Sequence, residues 1–140
     1  MPYTPPLVGY TIQFGSGVVA APVDATTYFS GNVFNGAPPT TGALRRLYIP
    51  RAGIIRKAYI TFTCVGLGSN ETSTVSIRLN DTSDTTVSTA VTNDANFVYV
   101  NNTALAISVA QGDYVEIKWT TPSWATNPTN VTISGIIYVE

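Results

Sequence analysis

The segment GIIRKAYITFTCV, residues 53–65, decides the fold class. Ala58, Ile60, Phe62 and Cys64 stand at every second position of its latter half, with Tyr or Thr between them. This period of two places the four side chains on one face of a β-strand. A long strand with one apolar face must bury that face against a second layer. The segment therefore predicts a packed β-sheet protein.

The same alternation recurs along the chain. Segment 74–80 places Val75, Ile77 and Leu79 on one face. Segment 114–120 does the same with Val115, Ile117 and Trp119. Further strands are predicted at residues 7–14, 18–23, 44–49, 85–91, 96–100, 104–109 and 131–139. Residues 24–42 are predicted to form a loop, and the apolar final strand is predicted to be central and covered on both sides.

These strands are short and regularly spaced, turns of Gly, Asn and Asp separate them, and no amphipathic helical stretch is visible. Such a pattern favours a sandwich or barrel. The predicted fold is an all-β jelly-roll β-sandwich of about eight to ten antiparallel strands, in which both chain ends meet in one sheet.

The chain length of 140 residues suits one domain. Residues 1–7 are predicted to form an extended Pro-rich arm, because each proline fixes φ and removes an amide donor. Residues 8–140 are predicted to form a single β-sandwich domain. The N-terminus lacks the basic and apolar regions of a signal peptide, so a chain that starts at its natural initiator is expected to be made in the cytoplasm.

Composition excludes several kinds of chemistry. The chain has no histidine and one cysteine, which rules out a Ser-His-Asp triad, a Cys-His pair and a His-ligated metal site. Paired carboxylates remain the one familiar catalytic arrangement that the sequence leaves open. The net charge of -1 argues against a nucleic-acid surface or a polybasic membrane anchor. We therefore expect neither enzyme activity nor a cofactor, and no membrane insertion. Cys64 is expected to be a buried, inert thiol.

Two loops contain polar or aromatic groups with more than one interpretation. The loop Asn80 to Asp84 offers oxygen ligands of the kind that Ca²⁺ accepts, although a hairpin whose side chains cap their own backbone is the favoured interpretation. Trp124, with Asn127 in the polar loop 120–130, is suited to stack on a sugar ring. A lid on the end of the sandwich, or a subunit contact, is favoured over the sugar platform.

The positive charges are concentrated in one segment. Five of the seven basic residues lie there: Arg45, Arg46, Arg51, Arg56 and Lys57. Two interpretations stay open. The segment is either a docking patch for an acidic neighbour or a set of solvated charges that protects a sheet edge from aggregation.

Two stretches resemble the TNF/C1q-like jelly rolls of bacteriophage virion proteins. IPRAGIIRKA, residues 49–58, is similar to the entry into a long strand of that group, and VAQGDYVEIK, residues 109–118, to a Gly-Asp turn and the strand after it. The hairpin after Val75 and the final strand also fit, except that Asp81 stands after Asn80 where the group has Gly. The resemblance covers about residues 44–140.

The resemblance implies a homotrimer on a phage particle that serves as a capsid decoration, head fibre or fibre tip, with the virion as its location. Its partners would be its own copies and a major capsid protein or other virion protein. Docking to the particle is assigned to Pro2, Tyr3, Pro5, Pro6, Arg45, Arg46 and Arg51, although a frayed terminus is an equal interpretation of the arm. Strand phase assigns the trimer interface to Tyr59, Tyr99, Trp119 and Tyr138. The alternative function is a receptor-binding or carbohydrate-binding module of a phage fibre or tail, with Trp124 and Asn127 contacting a host-surface glycan.

Overall fold

A computed structural model describes residues 2–3 and 8–140. Its ten strands are β1 (Tyr10–Phe14), β2 (Thr27–Ser30), β3 (Leu47–Tyr48), β4 (Gly53–Thr63), β5 (Thr72–Leu79), β6 (Ser83–Thr92), β7 (Phe97–Asn102), β8 (Ile107–Val109), β9 (Tyr114–Thr120) and β10 (Thr132–Val139). A 3₁₀ turn, Gly42–Arg45, precedes β3. None of the described residues form a helix of the length and apolarity that crossing a membrane requires.

The strands form two antiparallel five-stranded sheets packed as a sandwich, which confirms the predicted fold class. The first sheet has the order β1-β10-β4-β7, with β8 paired to the start of β4. The second sheet has the order β2-β9-β5-β6, with β3 paired to β9 next to β2. Strands from the two halves of the chain pair in a nested way, β1 with β10, β2 and β3 with β9, β4 with β7, and β5 with β6. The chain is thus a long hairpin rolled into a jelly roll, with its first and last strands adjacent.

The core lies between the sheets and contains the residues that strand phase placed inward. Ile60 and Phe62 of β4 and Ile117 and Trp119 of β9 are fully buried. The Trp119 ring lies 5.6 Å from Phe62 across the core. Trp124 closes one end of this cluster, with its ring 6.1 Å from that of Trp119 and only 5% of its surface exposed.

Two strand predictions were wrong. Residues 18–23 contain Pro22, which has no amide to donate, and only Val19 makes a bridge, to Val131. The strand beside β9 is instead β2, inside the predicted loop, where four residues are too few for periodicity to show. The predicted strand at residues 44–49 is shortened to the two residues of β3, and residues 44 and 45 belong to the 3₁₀ turn.

The outer face of β10 also differs from its prediction. β10 is central, between β1 and β4, and its inward side chains are fully buried. Its outward side chains are not covered by the same chain, because Ser134 is exposed and Ile136 and Tyr138 are only half-buried. The strand is therefore covered on one side, not two.

Replacing Ile117 by Asp is expected to prevent folding. The side chain has no exposed surface, and a buried carboxylate without a partner costs several kcal/mol. Amide dispersion in an NMR spectrum checks this. Thr89→Asp, at an exposed position of β6, is the control and should fold normally. A soluble Ile117→Asp protein with native dispersion would contradict the assigned core.

Replacing Trp124 by Ala should lower the free energy of unfolding by about 3 kcal/mol or more, because a large buried aromatic leaves a cavity. Urea denaturation measures the change. The matched control is Val65→Ala, at a residue 73% exposed, which should change stability by no more than about 0.5 kcal/mol. Equal effects of the two substitutions would show that Trp124 does not close the core.

Candidate interaction surface

The outer face of the first sheet is an open surface with five large apolar side chains. They are Tyr59, Phe97, Tyr99, Ile136 and Tyr138, and we call this surface the tyrosine face. Residues directly opposite one another in antiparallel strands point to the same side. The register therefore arranges the face in rows, of which one contains Gln13, Ile136, Tyr59 and Asn101.

Stacking organises the centre of the tyrosine face. The rings of Tyr59 and Tyr99 are nearly parallel, 13° apart in plane and 6.5 Å apart in centroid. Phe97 and Tyr99, on the edge strand β7, remain 61% and 49% exposed. Since a hydrophobic aromatic surface is costly to leave in water, this arrangement is suited to contact another surface.

A concave region of about 430 Å³ lies at one end of the face. Its lining includes Tyr59 and Tyr138 together with Arg56, Lys57 and Glu140. Arg56 Nε donates to Glu140 Oε2 at 2.9 Å, and Lys57 Nζ lies 5.7 Å from the Tyr138 ring centroid. The groove thus combines aromatic walls with cationic and hydroxyl groups at its rim.

The rest of the face is nearly neutral. Its polar positions are Thr, Ser, Asn or Gln: Thr11, Gln13, Thr61, Thr63, Asn101, Thr132 and Ser134. Lys57 is the one charged residue in these rows of the described chain. Copies of such a surface approach each other with little charge repulsion, and its hydroxyl and amide groups can both donate and accept hydrogen bonds.

Three of the four residues assigned to the interface lie together on this face, namely Tyr59, Tyr99 and Tyr138. Trp119 does not, because it points into the sandwich and is fully buried, so its assignment is corrected. Sequence reasoning missed Phe97 and Ile136. Their signal was present, since each occupies the same phase as a tyrosine two residues along its strand.

The loop at Trp124 is not an outward contact site. The indole packs on Trp119, and Asn127 Nδ2 donates to the Pro22 carbonyl at 3.0 Å and to Asp24 Oδ1 at 2.9 Å. Trp124 therefore lacks the exposed ring that stacking on a sugar requires. Of the interpretations of Trp124 left open by the sequence, the lid on the sandwich end is the one that the structure shows.

Basic residues assigned to docking are bound within the chain. Arg45 donates to the carbonyls of Leu44 and Ala37, both at 2.9 Å. Arg46 Nη2 forms an ion pair of 2.7 Å with Asp81. Arg51 donates to the Val8 carbonyl and lies over the Tyr10 ring. Arg45 and Arg46 therefore fix loops of their own chain, whereas Arg51 fixes the point where the N-terminal segment joins β1.

The N-terminal arm is described in part. Pro2 and Tyr3 are exposed, Tyr3 to 83%. Met1 and residues 4–7, which include Pro5 and Pro6, lie outside the described residues. Val8 and Gly9 run beside Arg51 and the Tyr138 hydroxyl group, at the border of the tyrosine face.

The Asn80 to Asp84 loop uses its oxygens within the chain. Asn80 and Asp81 have φ of 50° and 59°, the left-handed geometry of a tight hairpin turn. Asn80 Oδ1 accepts from the Tyr114 amide at 3.1 Å, and Asp81 Oδ2 accepts from Arg46 and Tyr114. Asp84 pairs with Lys118 at 2.6 Å. The loop thus has the geometry of a capped hairpin.

Cys64 is buried at the end of β4, as expected. Its thiol donates to the Ala95 carbonyl at 3.1 Å. Burial raises the pKa of this thiol, which keeps it in the unreactive protonated form.

Comparison with known proteins gives no family. No protein-family model and no curated protein sequence matches this chain. Among solved structures, a structure of the empty head of turnip yellow mosaic virus is similar at 13% sequence identity, with a TM-score of 0.31 over the whole of this chain and 85% of that chain. At this score the similarity carries no argument about function.

Proposed function

We propose that this protein is a non-enzymatic structural protein of a bacteriophage particle, attached to the particle surface as a homotrimer. The observation that carries the proposal is the open tyrosine face. A sandwich with a complete core of its own still presents five large apolar side chains on one sheet. Such a surface is typical of proteins that assemble.

A second copy of this chain is the occupant that the face fits best. Interfaces are enriched in Tyr and Phe and depleted in charged residues at their centre. The stacked pair Tyr59 and Tyr99 meets the first condition, and the neutral Thr and Ser rows meet the second. The small net charge of the chain adds no long-range repulsion between copies. A ring of three copies closes when the tyrosine face of each copy contacts a second surface of the next copy, and no copy is then left with an open patch.

The position of the arm supports attachment next to this interface. The Arg51 side chain holds the Val8 carbonyl at the border of the tyrosine face. Three arms around a threefold axis would therefore leave the assembly on the same side. Three weak attachments that act together bind far more tightly than one.

Carbohydrate binding is the second candidate, favoured by the groove on the same face. Tyr59 and Tyr138 offer rings for stacking, and Lys57 and Thr103 offer donors. Assembly through this face would restrict access to the groove. A monomeric protein that binds host-surface polysaccharide, and loses that binding in Tyr138→Ala, would favour this function over the first.

Tyr99→Glu is expected to dissociate the homotrimer while leaving the subunit folded. Tyr99 is half exposed in one chain, so the new charge is solvated in the monomer but buried without a partner in the assembly. Tyr48→Glu is the matched control, since it makes the same substitution at an exposed tyrosine of the second sheet. Light scattering coupled to size exclusion measures both masses. If Tyr99→Glu keeps the wild-type mass, the tyrosine face is not the interface.

Deletion of residues 1–7 is expected to leave the fold and the solution mass unchanged and to abolish attachment to the particle. The core contains none of the described arm residues. Co-sedimentation of the truncated protein with particles that lack it measures attachment, and the full chain is the control. Full occupancy by the truncated protein would contradict the role of the arm.

A further inference from the structure

Glu116 is a fully buried carboxyl on the outer side of the second sheet. It lies on β9 where two neighbours leave a gap, because β2 ends its pairing at Ile117 and β3 begins at Val115. The 3₁₀ turn closes this gap. A Cβ on Gly42 would lie 3.4 Å from Glu116 Oε1, so the backbone of the turn rests directly over the carboxyl.

Several charged groups surround Glu116, and neither neighbouring guanidinium group forms a hydrogen bond with it. Arg78 is its direct partner on β5, and Arg46 Nε lies 3.8 Å from Oε1. Both guanidinium groups have closer partners, Arg46 at Asp81 and Arg78 at Asp84. Within the described residues, both Glu116 carboxyl oxygens lack a hydrogen-bond partner. The full set of titratable and charged groups that face the carboxyl or contact those that do is Arg46, Tyr48, Arg78, Asp81, Asp84, Tyr114 and Lys118.

Burial and the neighbouring Asp81 carboxylate raise the pKa of Glu116 to about 7. The hydrogen bond from Arg46 lowers the pKa of Asp81. The two carboxyl groups therefore differ in protonation state, with Asp81 ionised and Glu116 protonated in weakly acidic solution.

The segment that covers Glu116 is anchored at its end by Arg46, which pairs with Asp81 at 2.7 Å and lies 4.1 Å from the Tyr114 ring centroid. Before that residue it is held by few bonds. We define this cover segment as residues 37–45, which precede that anchor. The Pro39 carbonyl accepts from the Phe29 amide of β2 at 2.9 Å, and the Leu44 amide donates to Thr41 at 3.4 Å. Arg45 binds the segment to itself through Ala37. Lifting the cover segment uncovers the carboxyl, and it breaks the Phe29–Pro39 bond but no pairing between the long strands.

We propose that Glu116 is a proton-operated latch for the cover segment. When the carboxyl is protonated it carries no charge, so it can stay buried under the closed segment without solvation by water. The ionised carboxylate requires water, because the nearest guanidinium group, that of Arg46, is paired with Asp81 and stays 3.8 Å away. Water reaches the carboxylate when residues 37–45 lift. The carboxyl releases a proton to solvent in this step, and no covalent bond is made or broken. The latch does not depend on the proposed function.

The direction of the pH effect follows from the raised pKa. In the unfolded or opened state the glutamate has a pKa of about 4.3. The closed state binds the proton more tightly, so its stabilisation is complete below that value and is lost as pH rises through about 7. The closed state is therefore most stable relative to the open one in weak acid, and this advantage shrinks as pH rises to neutrality and above.

Hydrogen exchange of the Phe29 and Leu44 amides, expressed as protection factors corrected for intrinsic rates, tests the latch in the full-length chain. Between pH 5.5 and 8, protection of both amides is expected to fall by about tenfold or more, since one pKa unit corresponds to a factor of ten. The Ile60 amide in β4 reports global opening and should change far less. Constant protection of Phe29 and Leu44 across this range would overturn the proposal.

Glu116→Gln keeps the shape and removes the titration, so its protection factors should be independent of pH. Glu71→Gln is the matched control, at a carboxylate in a loop remote from the cover segment, and should keep the wild-type dependence. A Glu116→Gln protein with the wild-type dependence would overturn the latch. If this variant does not fold, the carboxyl ¹³C shift of Glu116 in the wild-type protein decides, because a midpoint below pH 5 contradicts the proposal and one near 7 supports it.

Discussion

The contact between Phe62 of β4 and Trp119 of β9 holds the two sheets together, and the rest of the structure is arranged around it. The rings lie 5.6 Å apart in the middle of the core, with Tyr28 and Trp124 packed on the same indole. The indole is buried, and its N–H group has a hydrogen-bond partner because Trp119 Nε1 donates to Ser73 Oγ at 2.8 Å.

The two outward surfaces that result are physically different. The first sheet leaves aromatic rings open between Thr and Ser rows, whereas the second sheet has a charged network in which Arg46, Asp81 and Glu116 lie beneath or beside the 3₁₀ turn. An open neutral face is suited to contact a copy of itself. A covered charged face is suited to respond to protons. The proposed assembly and the proposed pH response therefore lie on opposite sides of one sandwich.

The long strands could be predicted from sequence because their period of two is unbroken. Residues 114–120 agree with β9 at both ends, and Ala58, Ile60 and Phe62 are all buried as expected. β2 could not be found, since its four residues carry no periodicity and gain their place only by pairing with β9. Part of the tyrosine face could be predicted from sequence, because strand phase pointed to three of its residues, Tyr59, Tyr99 and Tyr138. Trp119 was misassigned to the interface although it stands in phase with Val115 and Ile117, and that shared face is the buried one. Glu116 gave no signal at all, since its burial depends on a turn more than seventy residues away in the chain.

The most direct test of the central claim is the solution mass of the purified wild-type protein, measured by light scattering coupled to size exclusion over a range of concentrations. Assembly through the tyrosine face predicts a mass near three times the 14.9 kDa of the chain. A mass of 14.9 kDa at every concentration would contradict the claim and leave the face to another ligand.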